Sequence, residues 1–143
     1  MSFPAPRPGL VIRYGFLWSD EVRRGADEAA KDRPCAIVVA TRRIEGGDID
    51  VIVTPITHAP ADEDDSIEIP IKVARALGLD GERCWIRVDE LNRFAWPGYD
   101  LRTIPGRPGE YAYGMLPEPL FQALRRAILE RQQRIRPKVQ KRD

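Results

Sequence analysis

Apolar positions in this chain fall in short β-branched runs separated by polar breaks rich in Gly and Pro, until one amphipathic stretch near the C-terminus. Leu10 to Trp18 reads as a first strand, with Gly15 marking a bulge or a close backbone approach. Cys35–Thr41 and Ile49–Thr57 read as two more, joined through Glu45-Gly46-Gly47-Asp48, a strong hairpin turn. Ser66–Ile69 alternates Ile with polar residues. Lys72 to Leu77 fits one or two helical turns ended by Gly78, and Cys84 to Asp89 is a further strand. Glu118 to about Gln133 predicts the long helix: Pro119 suits its first turn, and Leu120, Phe121, Leu124, Ala127 and Ile128 make one stripe. Many short strands with a terminal helix predict a mainly β domain, curled into a small barrel against which the helix packs.

The breaks divide the chain further. Residues 1–9 hold Pro4, Pro6 and Pro8 and read as a loose arm. Ser19 to Asp32 is polar, charged and contains Gly25, so it reads as a long loop, with a helical turn within Asp27–Lys31. Loops of that length in compact domains are usually functional lids or disordered. Trp96 to Gly114 is rich in Gly and Pro and predicts a wandering course, with one or two short strands near Leu101 and Tyr111. Residues 10–133 form a single domain, and 134–143 a basic tail expected to fray.

Composition narrows the class. A chain of 143 residues can bury a core without staples. It has no run of eighteen apolar residues and no basic-then-apolar start, so neither a membrane span nor a secretory signal is read, and the cytoplasm is the expected compartment. Cys35 and Cys84 sit in apolar strand-like runs as small hydrophobes, with a disulfide between them left open. A net charge of +1 argues against coating nucleic acid by bulk electrostatics. The distribution is less even: Asp62, Glu63, Asp64 and Asp65 form an acidic knot, while Arg125 to Arg142 is strongly basic. That polarity would steer RNA to one face, unless both runs are simply solvated surface.

The most informative segment is Lys31-Asp32-Arg33-Pro34-Cys35-Ala36-Ile37-Val38-Val39. Pro34 pushes Arg33 out of the helical region and the β-branched run follows at once, which fixes a permanent cation at a strand mouth. Locally, a plain surface arginine is the competing reading. Upstream stand Pro8-Gly9-Leu10-Val11-Ile12, Leu17-Trp18 and Glu21. Downstream come Val53-Thr54-Pro55-Ile56-Thr57-His58, Ile67-Glu68-Ile69-Pro70, Leu77-Gly78-Leu79, Cys84-Trp85-Ile86-Arg87-Val88-Asp89-Glu90-Leu91-Asn92 and Tyr113-Gly114-Met115-Leu116-Pro117. In this order and spacing, from about Gly9 to Leu129, the chain resembles the PemK/MazF family of toxin–antitoxin growth inhibitors. Each motif is short; their collinearity carries the resemblance.

The resemblance implies a small SH3-like (PemK/MazF/CcdB-type) β-barrel with a C-terminal α-helix. It also implies a metal-independent endoribonuclease that cuts single-stranded RNA by 2′-OH attack, needs no cofactor, forms a homodimer and is covered by a cognate antitoxin. Arg33 aligns with the family's catalytic arginine, as clamp and proton donor, and Thr57 with its catalytic threonine, which would stabilise the phosphorane. Glu21 sits where the family loop tends to carry an acid, which implies a role in orienting Arg33, with a solvated loop carboxylate as the competing reading. Some features depart from the family: Gly9-Leu10-Val11 replaces Gly-Asp-Val, and the 19–32 loop is longer and more charged.

Other roles come from the residues themselves. His58 is the sole histidine, which excludes a two-histidine mechanism; its ordinary pKa near neutrality makes it a candidate proton acceptor beside Thr57. Neighbours on a strand face opposite sides, so both reach the site only if the strand ends at Thr57. Trp18, Arg23, Arg24 and Lys31 border the same loop and are suited to stacking a base or holding phosphates, completing with Glu21 the expected RNA-binding set. Trp96 reads as a partner contact or partial core. Cys35, His58 and Cys84 have no close ligand spacing, so no metal site is expected. The alternative function is a non-catalytic binding module on the same barrel, a gyrase-poison-like protein binder or an RNA binder.

Overall fold

β3, Ile49–Thr57, organises the molecule, because it is long enough to serve three neighbours. In the computed structural model, which describes residues 3–23, 25, 31–42, 46–134 and 138–141, one edge of β3 pairs with β2, Arg33–Arg42. Its other edge is shared. Asp50–Val53 pair with β6 (Glu90–Ala95), and Ile56–Thr57 pair with β5 (Trp85–Arg87). β4 (Ser66–Glu68) extends β5, while β1 (Leu10–Tyr14) and β7 (Ala112–Met115) continue the sheet beyond β2. β8, Lys138–Lys141, adds to β6 in parallel, and the other pairs among the described residues are antiparallel. The result is an eight-stranded sheet whose ends, β4 and β7, do not pair with each other among the described residues.

The Ile/Val runs are apolar at consecutive positions because the sheet is covered on both faces. Val11, Ala36, Ile56 and Ile86 join one core, which includes Leu124 and Ile128 of α3, the helix Glu118–Arg134. The alternate residues Ile12, Tyr14, Cys35, Ile37, Val51 and Val53 join the other, with Phe16 and Phe94. Tyr14 and Phe94 stack across it at 4.6 Å. Cys35 and Cys84 are buried free thiols. No helix of the described residues is long and apolar enough to cross a membrane.

Three segments differ from their sequence reading. The first strand stops at Tyr14, and Ser19–Arg23 forms a short helix, α1, where a loop was expected. The cause lies 71 residues away. Buried Glu90 accepts hydrogen bonds from the Ser19 amide at 2.8 Å and its hydroxyl at 2.6 Å. Asn92, also buried, accepts from the Leu17 N–H at 2.9 Å and donates to the Leu17 carbonyl at 2.8 Å. The expected strand over Cys84–Asp89 is shorter, and a second strand, β6, follows it. The tail does not simply fray after Arg134, since Lys138–Lys141 pair with Glu90–Arg93. The expected turn within Asp27–Lys31 lies outside the described residues, apart from Lys31.

The short helix expected over 72–77 is present. α2, Ile71–Ala76, ends at Gly78, whose φ of +76° suits glycine. Its N–H reaches the Arg75 carbonyl and that of Leu79 reaches Ala74, a Schellman closure. The acidic knot is partly neutralised inside the fold: buried Arg131 of α3 donates from Nε to Asp65 Oδ1 at 2.7 Å.

Candidate functional site

Where β2 begins and β3 ends, the sheet opens into a cleft of about 770 Å³. The mouth of β2 supplies Lys31, Asp32 and Arg33, and the end of β3 supplies Thr57 and His58. The Schellman turn carries Leu79 and Asp80 to the opposite wall, β5 contributes Arg87, and Ile104–Pro105 close another side.

Arg33 pairs through its backbone with Tyr14 and is half-buried. Its guanidinium carbon lies 5.1 Å from the centroid of the Trp18 ring. Nε is buried and has no hydrogen-bond partner among the described residues. Burial pushes the pKa of this guanidinium down, the neighbouring Arg87 charge adds to the effect, and Cys35 and Glu21 oppose it. It remains a cation with unspent donors, which makes it an acceptor-seeking group.

Arg87 also lies against Trp18, at 4.9 Å from the ring centroid. Its Nε donates to Asp89 Oδ1 at 2.9 Å and its Nη2 to Asp89 Oδ2, a fork that holds the side chain and pushes its pKa up. Arg13, also in the cleft, donates to the Tyr113 hydroxyl at 3.0 Å and to the Asp32 carbonyl at 3.4 Å. With Lys31, four cations border the cleft.

β3 ends at Thr57, so Thr57 and His58 both reach the cleft. The Thr57 hydroxyl donates to the Ala59 carbonyl at 2.6 Å, which leaves its lone pairs to the cleft. His58 Nδ1 lies 3.1 Å from the Arg83 carbonyl, and Nε2 lies 2.8 Å from Asp80 Oδ2. Both partners are acceptors, so the arrangement suits a doubly protonated ring. The Arg83 carbonyl, with Asp80 and Glu82, pushes the His58 pKa up against a smaller effect of burial. Both ring nitrogens are thus engaged with the protein's own acceptors. His58, Asp80 and Glu82 also bring metal-type donor atoms within 4.8 Å of one another at the exposed rim.

Trp18, Lys31, Arg33, Thr57 and His58 therefore meet in one cleft, whereas other expected residues do not line it. Glu21 is buried and accepts the Trp18 N–H at 3.0 Å, capping α1, with its charge felt at Arg33. Arg23 is exposed at the end of α1, and Arg24 lies outside the described residues. Arg13, Asp80, Arg87 and Tyr113 are cleft residues that sequence reasoning missed. One signal was present for Arg87: Trp85, Arg87 and Asp89 alternate with Ile86 and Val88, which sets polar groups on one strand face. No family model, curated protein or solved structure matches the chain.

Proposed function

We propose that this protein is a metal-independent endoribonuclease of the PemK/MazF type, the toxin of a toxin–antitoxin pair, acting on single-stranded RNA in the cytoplasm. The observation that carries the proposal is Arg33, a half-buried cation whose buried Nε has no partner among the described residues, in a cleft bordered by three further cations. The sheet with its terminal helix is compatible with an SH3-like barrel, and the motifs run in the family's order. In the reaction O2′ attacks phosphorus and passes its proton to solvent water, and the P–O5′ bond breaks as O5′ takes a proton from Arg33, which solvent then restores. The products are a 2′,3′-cyclic phosphate and a 5′-hydroxyl. Arg33 and Arg87 neutralise charge on the non-bridging oxygens. Burial makes Arg33 a readier proton donor than an exposed arginine, while Thr57 and His58 border the phosphorane. The active form is a homodimer, and an acidic antitoxin segment folds over the same cations.

A second reading has its own support. The Thr57 hydroxyl hydrogen and both His58 nitrogens are already engaged, leaving an arginine site suited to binding alone. Purified protein on a long single-stranded RNA in EDTA, with 5′-end mapping, separates the two. Discrete 5′-hydroxyl ends lost in Arg33→Ala support the nuclease. Intact RNA bound in a salt-sensitive way leaves the binder.

A further inference from the structure

Trp18 borders the cleft, yet its ring is not free in the way a base-stacking platform would be. Its backbone is fixed on both sides: the Leu17 amide and carbonyl are held by Asn92, and the Trp18 N–H is held by Glu21. The indole meets Phe16, which is 1% exposed, in an edge contact at 5.2 Å. It is thus seated on the core rather than on a moving loop. Two guanidinium groups lie against it, Arg33 at 5.1 Å and Arg87 at 4.9 Å. Like charges placed so near one ring repel each other. Asp89 forks onto Arg87, whereas Arg33 feels the Glu21 charge without a described hydrogen bond from its Nε. The electron-rich indole face, in contact with both groups, adds to that offset, and a flat guanidinium is the cation best shaped to lie on it.

We propose that Trp18 is a positioning residue: its indole, anchored on Phe16, holds Arg33 and Arg87 together as a preformed pair for the phosphodiester oxygens of a nucleic-acid strand. The proposal rests on the reading of the cleft as an RNA site. It assigns Trp18 to the backbone of the ligand and not to a base. An arginine in solution carries considerable rotamer freedom, and fixing two of them beforehand removes a cost that binding would otherwise meet.

The test uses the full chain, Trp18→Phe and Trp18→Leu, with two readouts. The first is the NMR signal of the Arg33 and Arg87 Nε–H groups without ligand, since a proton above an aromatic face is shifted upfield. The second is binding of a 2′-O-methyl RNA, which cannot be cleaved by 2′-OH attack. The expected result is upfield signals in the parent and in Trp18→Phe, ordinary positions in Trp18→Leu, and RNA binding about tenfold weaker in Trp18→Leu than in Trp18→Phe. Unmoved arginine signals in Trp18→Leu overturn the proposal. So does Trp18→Phe binding as weakly as Trp18→Leu while its fold and arginine signals are intact. If the arginine signals move as expected but even the parent binds no RNA, the positioning of the pair stands and the RNA reading of the cleft falls.

Discussion

A guanidinium and an imidazole in this cleft owe their properties to opposite surroundings. Arg33 is half-buried and its Nε has no acceptor among the described residues, so a ligand oxygen would complete its hydrogen bonding. Replacing it by lysine keeps the charge but loses the planar fork and the indole contact. Arg33→Lys is expected to lose about 10²–10³-fold in cleavage rate, measured on a defined oligonucleotide, and near-parental activity would remove the fork from the mechanism. His58 is surrounded by acceptors instead, and its pKa is pushed above the ordinary value, first by the Arg83 carbonyl. The stability this confers is complete below the ordinary histidine pKa of about 6.5, and is lost as pH rises through the higher value in the folded chain. Because the ring is about half exposed, the gain is under about 1 kcal/mol. NMR titration of this sole histidine in EDTA checks the direction, and His58→Gln should flatten the pH dependence of stability in that window.

At the scale of elements, ladders and polar pins do different work. The register of β2 on β3 is held by apolar residues on both faces, whereas β6 is tied to the turn after β1 by buried polar groups. Asn92→Ala leaves the Leu17 N–H and carbonyl without their side-chain partner and should cost about 2–3 kcal/mol, seen as a lower midpoint in chemical denaturation. It should also loosen Trp18, the next residue, and so weaken RNA binding. These pins explain what could be read from the chain. β2, β3 and α3 were legible because Ile, Val and Leu at the right period suffice to specify them. β6 was not, because Glu90 and Asn92 look like surface residues until partners 71 and 75 positions away are known. β8 is Lys-Val-Gln-Lys, with almost no apolar signal. The cleft was half legible for the same reason: Arg33 and Thr57 lie in recognisable strand ends, while Arg13 and Asp80 gain meaning only when β1 and the turn after α2 are brought beside them.

Across the whole molecule, charge is arranged locally rather than in bulk. The acidic knot meets the basic helix through Asp65 and Arg131, while the cleft gathers cations within a chain of net charge +1. Binding of single-stranded RNA should therefore depend on salt only as a few phosphate contacts demand. The expected slope of log K against log salt is about −1.5 to −3, and a much steeper one would locate the binding outside the cleft. The C-terminal strand adds a separate consequence. Lys138–Lys141 cover the edge of Glu90–Arg93 with a lysine-flanked segment, the kind of edge that resists further pairing. Removing residues 138–143 uncovers a row of backbone donors and acceptors beside an apolar sheet. Such a truncated chain should form soluble oligomers or precipitate, visible by light scattering, at concentrations where the parent does not.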